Sequence, residues 1–199
     1  MTGVNDSAAD AQAVLDFWFA AKGDAEHGTV RDLWFRKSDA TDRQINERFG
    51  PLIEQALRGE LEAWASEPPS ALAQIILLDQ FTRNSFRDTP RAFAGDKRAL
   101  AAAMAMVGSR QDEALLPVQR VFVYLPFEHA EGIGMQEEAL RLFTRLVADA
   151  AGLQNMLDYA QRHHDVVQRF GRFPHRNVIL GRQSTAQEIE FLKQPGSRF

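Results

Sequence analysis

The chain of 199 residues is long enough for one domain with a single core. Its 45% hydrophobic and 25% charged residues are ordinary for a globular protein, and its net charge of −4 argues against nucleic acid as a partner. The lack of cysteine excludes disulfides and fits the cytoplasm, and no signal peptide or membrane-spanning run is visible. We expect one cytoplasmic domain over residues 1–199, with its core at about 8–193 and an oligomeric state that the sequence leaves open.

Polar residues mark the starts of the first two predicted helices. Ser7 is expected to cap a helix over residues 8–21, and Ser38 or Asp39 to cap the next one. The pair at residues 50–51, Gly-Pro, should kink or break that second helix, because proline removes a backbone donor.

Capping residues and prolines also mark predicted helix ends in the middle of the chain. Ser70 is expected to cap a largely buried helix. Thr89 and Pro90 should open a long helix that reaches about Val107. Another predicted helix opens at Pro117 and is interrupted at Pro126.

Helix signals also dominate the last third of the chain. An amphipathic pattern predicts a helix over residues 131–150. A further helix is expected over about 153–170, ending at Gly171, and Thr185 with Glu188 forms a capping box. Only VFVY and NVIL resemble strands, and both are short. The sequence therefore predicts an all-α domain of roughly eight to ten helices.

A first polar group lies in LLDQFTRNSFR, residues 77–87. Asp79 and Arg83 are four residues apart and can pair on one helix face. The plainer interpretation is that these groups brace the end of a buried helix. The functional interpretation is that Arg83, Asn84 and Arg87 present donors to an anion.

A second polar group lies in LPFEHAE, residues 125–131. Glu128 and Glu131 are three residues apart and are expected to share a helix face, with His129 between them. Two carboxylates and an imidazole suit acid–base chemistry or a metal ion. The segment lacks the E-x-x-H spacing of di-iron bundles, so no metal site is predicted.

The third group lies in residues 161–182, which carry five basic residues and one acidic residue. A helix end is followed here by GRFPHRN, in which Gly171 permits a left-handed turn and proline stiffens the next step. We expect a constrained loop rich in hydrogen-bond donors, built from Arg172, His175, Arg176 and Asn177.

The arginines outnumber the nearby acids. Arginines drawn partly out of water need anionic partners. Either internal acids neutralise them or a ligand does, and both alternatives stay open. The arginines are Arg83, Arg87, Arg169, Arg172, Arg176 and Arg182, and the acids are Asp79, Glu128, Glu131 and Asp165.

Four segments together resemble a bacterial family called domain of unknown function 924. They are VLDFWF (14–19), LLDQFTRN (77–84), FEHAEGIGMQ (127–136) and RFGRFPHRNVILGRQST (169–185). The resemblance implies an all-α fold related to tetratricopeptide-like helical hairpin arrays, and it implies no activity. Thr82 stands where the family has proline, and Ala130 where it has serine.

The first functional hypothesis is a binding module. Its pocket would hold a small anion, a carboxylate-bearing ligand or an acidic peptide by bidentate hydrogen bonds. The predicted ligand-binding residues are Asp79, Arg83, Asn84, Arg87, Arg172, His175, Arg176 and Asn177.

The second hypothesis is an enzyme that uses the same pocket. His129 or His163 would act as acid or base, and Glu128 or Glu131 would orient it. The third hypothesis is a structural or protein-interaction scaffold, whose polar groups only fix helix packing. No cofactor, nucleic acid or membrane partner is predicted.

Overall fold

The computed structural model describes the backbone of residues 3–198 and the side chains of residues 7–198. These residues form α-helices joined by short 3₁₀ turns and contain no β-strand, which confirms the all-α prediction. The nine α-helices are α1 (Gly3–Phe19), α2 (Asp39–Arg58), α3 (Pro68–Ile76), α4 (Thr82–Ser85), α5 (Asp96–Gly108), α6 (Pro117–Glu128), α7 (Ile133–Asp149), α8 (Gln154–Phe170) and α9 (Ala186–Phe191).

Several helix ends lie where the sequence predicts them. The Ser38 side chain accepts a hydrogen bond from the backbone N–H of Thr41 at the start of α2. Gly171 ends α8 with φ of 68°, a left-handed conformation that glycine adopts without strain. The capping box of Thr185 and Glu188 is formed at the start of α9.

Two predicted helix caps are wrong, because the serines bond elsewhere. Helix α1 begins at Gly3, so Ser7 lies inside it, and its hydroxyl accepts a hydrogen bond from the indole of Trp64. Helix α3 begins at Pro68, and the Ser70 hydroxyl donates to the carbonyl of Trp64 at 2.8 Å. Both serines fix the turn around Trp64 to a helix.

The two prolines expected to kink or interrupt helices lie inside helices that continue past them. Helix α2 runs through Pro51, and α6 runs through Pro126. Proline removes one backbone hydrogen bond. In α2 the buried stripe that includes Phe49 and Ile53 continues on both sides of the proline, and we infer that its burial outweighs the lost bond.

The helix expected to open at Pro90 begins later. Residues Pro90–Phe93 form a 3₁₀ turn, and α5 starts only at Asp96. Gly95 lies between the two, and a Cβ atom there would lie 2.1 Å from the carbonyl oxygen of Leu78. The close approach of the two backbones therefore requires glycine at this position.

The chain groups into two compact units. The first contains residues 1–87 and 91–126, and helices α1 and α5 both pack against α3 within it. Its core is an aromatic cluster in which Trp18 contacts Phe81 and Phe122 edge to face, with ring centroids 5.4 and 5.6 Å apart.

A π-helical turn, Leu77–Phe81, joins α3 to α4 in the first unit. The extra residue of such a turn shifts the side chains that follow it, and π turns are frequent at functional sites. This turn buries Asp79, which is 1% exposed.

The second unit contains residues 88–90 and 127–199. Helices α7 and α8 pack along each other, and the segment 171–185 leads from α8 to α9. Phe173, in that segment, is fully buried against Val166 and Val167 of α8. In the part of the chain described here, no helix is both long and apolar enough to cross a membrane.

Candidate functional site

In the first unit, Asp79 and Arg83 form the predicted pair. A carboxylate oxygen of Asp79 lies 3.0 Å from Nη1 of Arg83, which also donates to the Asp79 backbone carbonyl at 2.6 Å and to Asp96 at 2.9 Å. Burial opposes the charge of Arg83, but Asp79 and Asp96 outweigh it and raise the arginine pKa. The guanidinium is thus matched by two carboxylates of its own chain.

Arg87 and Asn84 share one acceptor in the same unit. Arg87 binds both carboxylate oxygens of Asp42, and the Asn84 amide donates to Asp42 at 2.8 Å. Burial opposes ionisation of Asp42, but the hydrogen bonds from Arg87 and Asn84 outweigh it and lower the Asp42 pKa. Asp42 lies on α2, far along the chain, and sequence spacing held no sign of this contact.

In the second unit, Glu131 holds the segment that follows α8. Its carboxylate accepts two hydrogen bonds from Arg182, at 2.6 and 2.9 Å, and one from the backbone N–H of Phe173 at 2.8 Å. These hydrogen bonds outweigh burial and lower the Glu131 pKa. Helix α6 ends at Glu128, so the expectation that Glu128 and Glu131 share a helix face is wrong.

Glu188 plays the same role for Arg172 and Asn177. Arg172 donates to both oxygens of Glu188, at 2.7 and 2.8 Å, and Asn177 donates to Glu188 at 3.3 Å. The Arg172 hydrogen bond is the main cause that lowers the Glu188 pKa to about 2. Glu188 was predicted only as a capping residue, and it also neutralises an arginine of the predicted site.

A buried histidine–carboxylate pair lies beside this network. Nδ1 of His163 is 2.9 Å from the nearest oxygen of Glu128 and 2.9 Å from the carbonyl oxygen of Tyr159. A carbonyl oxygen can only accept, so Nδ1 carries a proton, and in the neutral ring the lone pair is on Nε2. His163 is 5% exposed and Glu128 is 3% exposed.

Two more histidines lie near His163: His129 is next to its ring, and His175 packs on Phe173, whose ring His163 also contacts. The centroids of His129 and His163 are 6.2 Å apart, and Phe173 lies 5.4 Å from His163 and 5.7 Å from His175. We call Glu128, His129, His163 and His175 the histidine–carboxylate cluster. Its members come from the end of α6, from α8 and from the segment after α8.

Arg176 adds positive charge to this cluster. Its guanidinium lies 4.5 Å from the centroid of the Phe173 ring, and it donates to the carbonyl of His129 at 3.0 Å. Burial, followed by the charge of Arg176, lowers the pKa of His175 to about 3. His175 is therefore neutral across the physiological pH range.

Gln136 belongs to the same unit and was missed at the sequence level. It is fully buried, and its amide donates to the carbonyl oxygens of Glu128 and Ala130, each at 2.6 Å. Gln136 closes the turn that follows Glu128. Its place in the segment FEHAEGIGMQ was the available signal.

The predicted ligand-binding residues divide between the units. Asp79, Arg83, Asn84 and Arg87 lie in the first, and Arg172, His175, Arg176 and Asn177 lie in the second. Three acids that the comparison of arginines with nearby acids did not include bind arginines of the predicted site. They are Asp42, Asp96 and Glu188. The single predicted pocket stays a prediction. Among the described side chains, no group of three or more His, Asp or Glu residues is placed to hold a metal ion.

Comparison with known proteins gives a family. A model described as "Bacterial protein of unknown function (DUF924)" matches residues 14–196. A solved protein of unknown function, ATU0120 from Agrobacterium tumefaciens, is similar at 40% identity and a TM-score of 0.81, over 94% of this chain and 99% of that one. No curated protein matches significantly. Because the family model covers most of its length, the chain belongs to the bacterial DUF924 family.

Proposed function

We propose that the second unit is an acid–base site at which His163 exchanges a proton with a small bound molecule. One observation carries the proposal: Nδ1 of His163 lies 2.9 Å from the Glu128 carboxylate. Glu128 holds the ring in one tautomer and stabilises the imidazolium that forms when Nε2 takes a proton. His163 is the base, and Glu128 orients it.

Burial supports this assignment over a purely surface ion pair. Both side chains are more than nine-tenths buried, where electrostatic interactions are strong and a poorly matched charge is costly. Glu131 is less suited to orient a base, because its carboxylate already binds Arg182 and the backbone of Phe173.

Deuterium incorporation tests the proposal without a guess at the substrate. The protein is incubated in heavy water with a metabolite extract from bacteria, and mass spectrometry follows each metabolite. We expect at least one metabolite to gain deuterium or change in amount with the natural chain. With His163→Asn the effect should fall at least a hundredfold, the scale of general acid–base catalysis.

The variant is chosen to spare the fold. An asparagine amide places a donor near the position of Nδ1, so it can keep the hydrogen bond to Tyr159 and the contact with Glu128 while Nε2 is lost. His164→Asn makes the same change one residue away and serves as the control. If no metabolite responds in a way that depends on His163, the acid–base proposal is wrong.

A second candidate function is the binding of a small anion, a carboxylate-bearing ligand or an acidic peptide near Arg176. The observation that favours it is the buried Arg176 guanidinium, which donates to the His129 carbonyl at 3.0 Å and lies 4.5 Å from the centroid of the Phe173 ring. A thermal-shift screen with phosphate, dicarboxylates and acidic peptides tests it, because a ligand at a hundred times its Kd adds about 2.7 kcal/mol of stability. The shift should disappear in Arg176→Ala, and no shift with any anion would exclude this candidate.

A further inference from the structure

Two buried oxygen atoms in the second unit have no hydrogen-bond partner. One is Oε2 of Glu128, whose Oε1 lies 2.9 Å from Nδ1 of His163. The other is Oε1 of Gln136, whose amide nitrogen donates to the carbonyls of Glu128 and Ala130. Glu128 is 3% exposed and Gln136 is fully buried, so bulk water does not satisfy either atom.

Both unpartnered atoms are hydrogen-bond acceptors: one is a carboxylate oxygen, and the other is the amide oxygen of Gln136. The Gln136 amide donates to two carbonyl oxygens, so its orientation is set and Oε1 is the remaining acceptor. A buried acceptor that lacks a donor destabilises the folded chain, and more strongly when it is charged. The Gln136 amide binds the backbone carbonyl of Glu128, so the two residues are neighbours, and one donor group is the simplest partner for both atoms.

We infer that Glu128 Oε2 and Gln136 Oε1 together bind a primary ammonium group of the small molecule. The inference rests on the proposed function, since it names a chemical group of the ligand at the same site. An ammonium supplies three N–H donors, enough for both oxygens, and its positive charge matches the one carboxylate.

Other occupants fit these two atoms less well. An anion would place negative charge against the Glu128 carboxylate, and arginine or lysine partners for that carboxylate are absent from the contacts that the described side chains make with it. A metal ion would need further ligands, and no group of three His, Asp or Glu side chains is placed to supply them within residues 7–198. A group with several N–H donors can donate a hydrogen bond to each of the two acceptors at the same time.

An NMR titration tests the inference directly. Methylammonium is the probe, and the readouts are the side-chain NH₂ signals of Gln136 and the ring nitrogens of His163. Tetramethylammonium carries the same charge without an N–H donor and is the first control; acetate is the second. We expect saturable shifts with methylammonium and none with either control.

A matched variant locates the binding. In Glu128→Gln the side-chain oxygen can still accept from His163, while an NH₂ group replaces the second oxygen, so the acceptor becomes a donor. We expect the methylammonium response to weaken at least tenfold with the fold retained. Glu137→Gln makes the same change at an exposed position of α7 and should leave the response unchanged.

Several outcomes would overturn the inference. They are the absence of any methylammonium response, an equal response to tetramethylammonium, or an undiminished response in Glu128→Gln. A neutral carboxylic-acid band in the infrared spectrum of the ligand-free protein that disappears in Glu128→Gln would also do so, because a proton would then satisfy Oε2. If that variant does not fold, the two ammonium probes on the natural chain decide.

The deuterium assay and this titration fail independently. A metabolite that exchanges in a His163-dependent way, with no methylammonium response, would keep the acid–base site and remove the ammonium subsite. Methylammonium binding without any His163-dependent exchange would do the reverse.

Discussion

His175 shows at the scale of one residue how burial changes chemistry. An ordinary histidine titrates near pH 6.5, whereas burial and the charge of Arg176 lower the pKa of His175 to about 3. The residue was predicted as a ligand donor from its place in a constrained loop. In its neutral form it offers one donor and one acceptor instead of two donors.

This pKa makes stability depend on pH in a defined direction. The unfolded chain binds a proton at His175 below about pH 6.5, and the folded chain does not until about pH 3. The free energy of unfolding therefore falls as the pH falls through this window. Between about pH 7 and about pH 5.5 the natural chain should lose about 1 kcal/mol more than His175→Asn.

Urea unfolding at several pH values checks this expectation. The window above about pH 4.5 is the informative one, because Glu188, whose pKa is lowered from 4.5 to about 2, reduces stability only below it. Equal pH slopes for the natural chain and His175→Asn would show that His175 titrates normally.

Individual ion pairs also explain why the sequence could not decide whether internal acids or a ligand neutralise the arginines. Asp79 and Arg83 are one helical turn apart, so their pairing was predictable. Arg87 pairs with Asp42 on another helix, and no local pattern announces such a contact. Spacing identifies pairs within a helix, whereas pairs between helices depend on the packing.

At the scale of the helices, Gly95 allows the backbone just before α5 to pack closely against Leu78. A Cβ atom there would meet the backbone of Leu78 at 2.1 Å, and backbone cannot rotate away as a side chain does. Gly95→Ala should therefore cost about 2–4 kcal/mol of unfolding free energy, from forced backbone shifts.

Gly108, at the other end of α5, is the control for this change. No atom lies within 4 Å of the position that its Cβ would take. Gly108→Ala should leave stability unchanged or raise it by up to about 1 kcal/mol. Thermal unfolding of both variants gives the comparison, and equal effects would refute the packing account.

The helices themselves were predictable, but their starts were less so. The amphipathic period predicted α7 because one face of that helix is buried, and α8 ends at the left-handed Gly171 as expected. Ser7 and Ser70 resemble caps in sequence, yet each bonds to Trp64 instead. A serine that caps a helix and one that bridges to another element look the same locally.

At the scale of the whole molecule, the sequence predicts one domain over residues 1–199. All three tryptophans, at positions 18, 34 and 64, lie in the first unit, whereas circular dichroism reports on every helix. If the chain is one domain, urea unfolding followed by the two signals should give coincident transitions. Transitions with different midpoints would show that the two units unfold separately.

Membership of the DUF924 family indicates no reaction, so any chemistry has to be inferred from the candidate site. The DUF924 match and the structure similar at a TM-score of 0.81 agree on the fold and carry no activity in their descriptions. The same fold supports unrelated functions, so the polar groups must carry the argument. Here the arginine network is largely matched by internal acids, and the Glu128–His163 pair is the group best suited to chemistry.

A measurement of the His163 tautomer tests the proposed Glu128–His163 acid–base pair most directly. Nitrogen NMR of the histidine rings at about pH 7.5, assigned with His163→Asn, distinguishes a protonated from an unprotonated ring nitrogen. We expect Nδ1 to carry the proton and Nε2 to carry the lone pair, because the Tyr159 carbonyl accepts from Nδ1 and the Glu128 carboxylate lies 2.9 Å from the same atom. A proton on Nε2, with Nδ1 unprotonated, would contradict the acid–base pair described here.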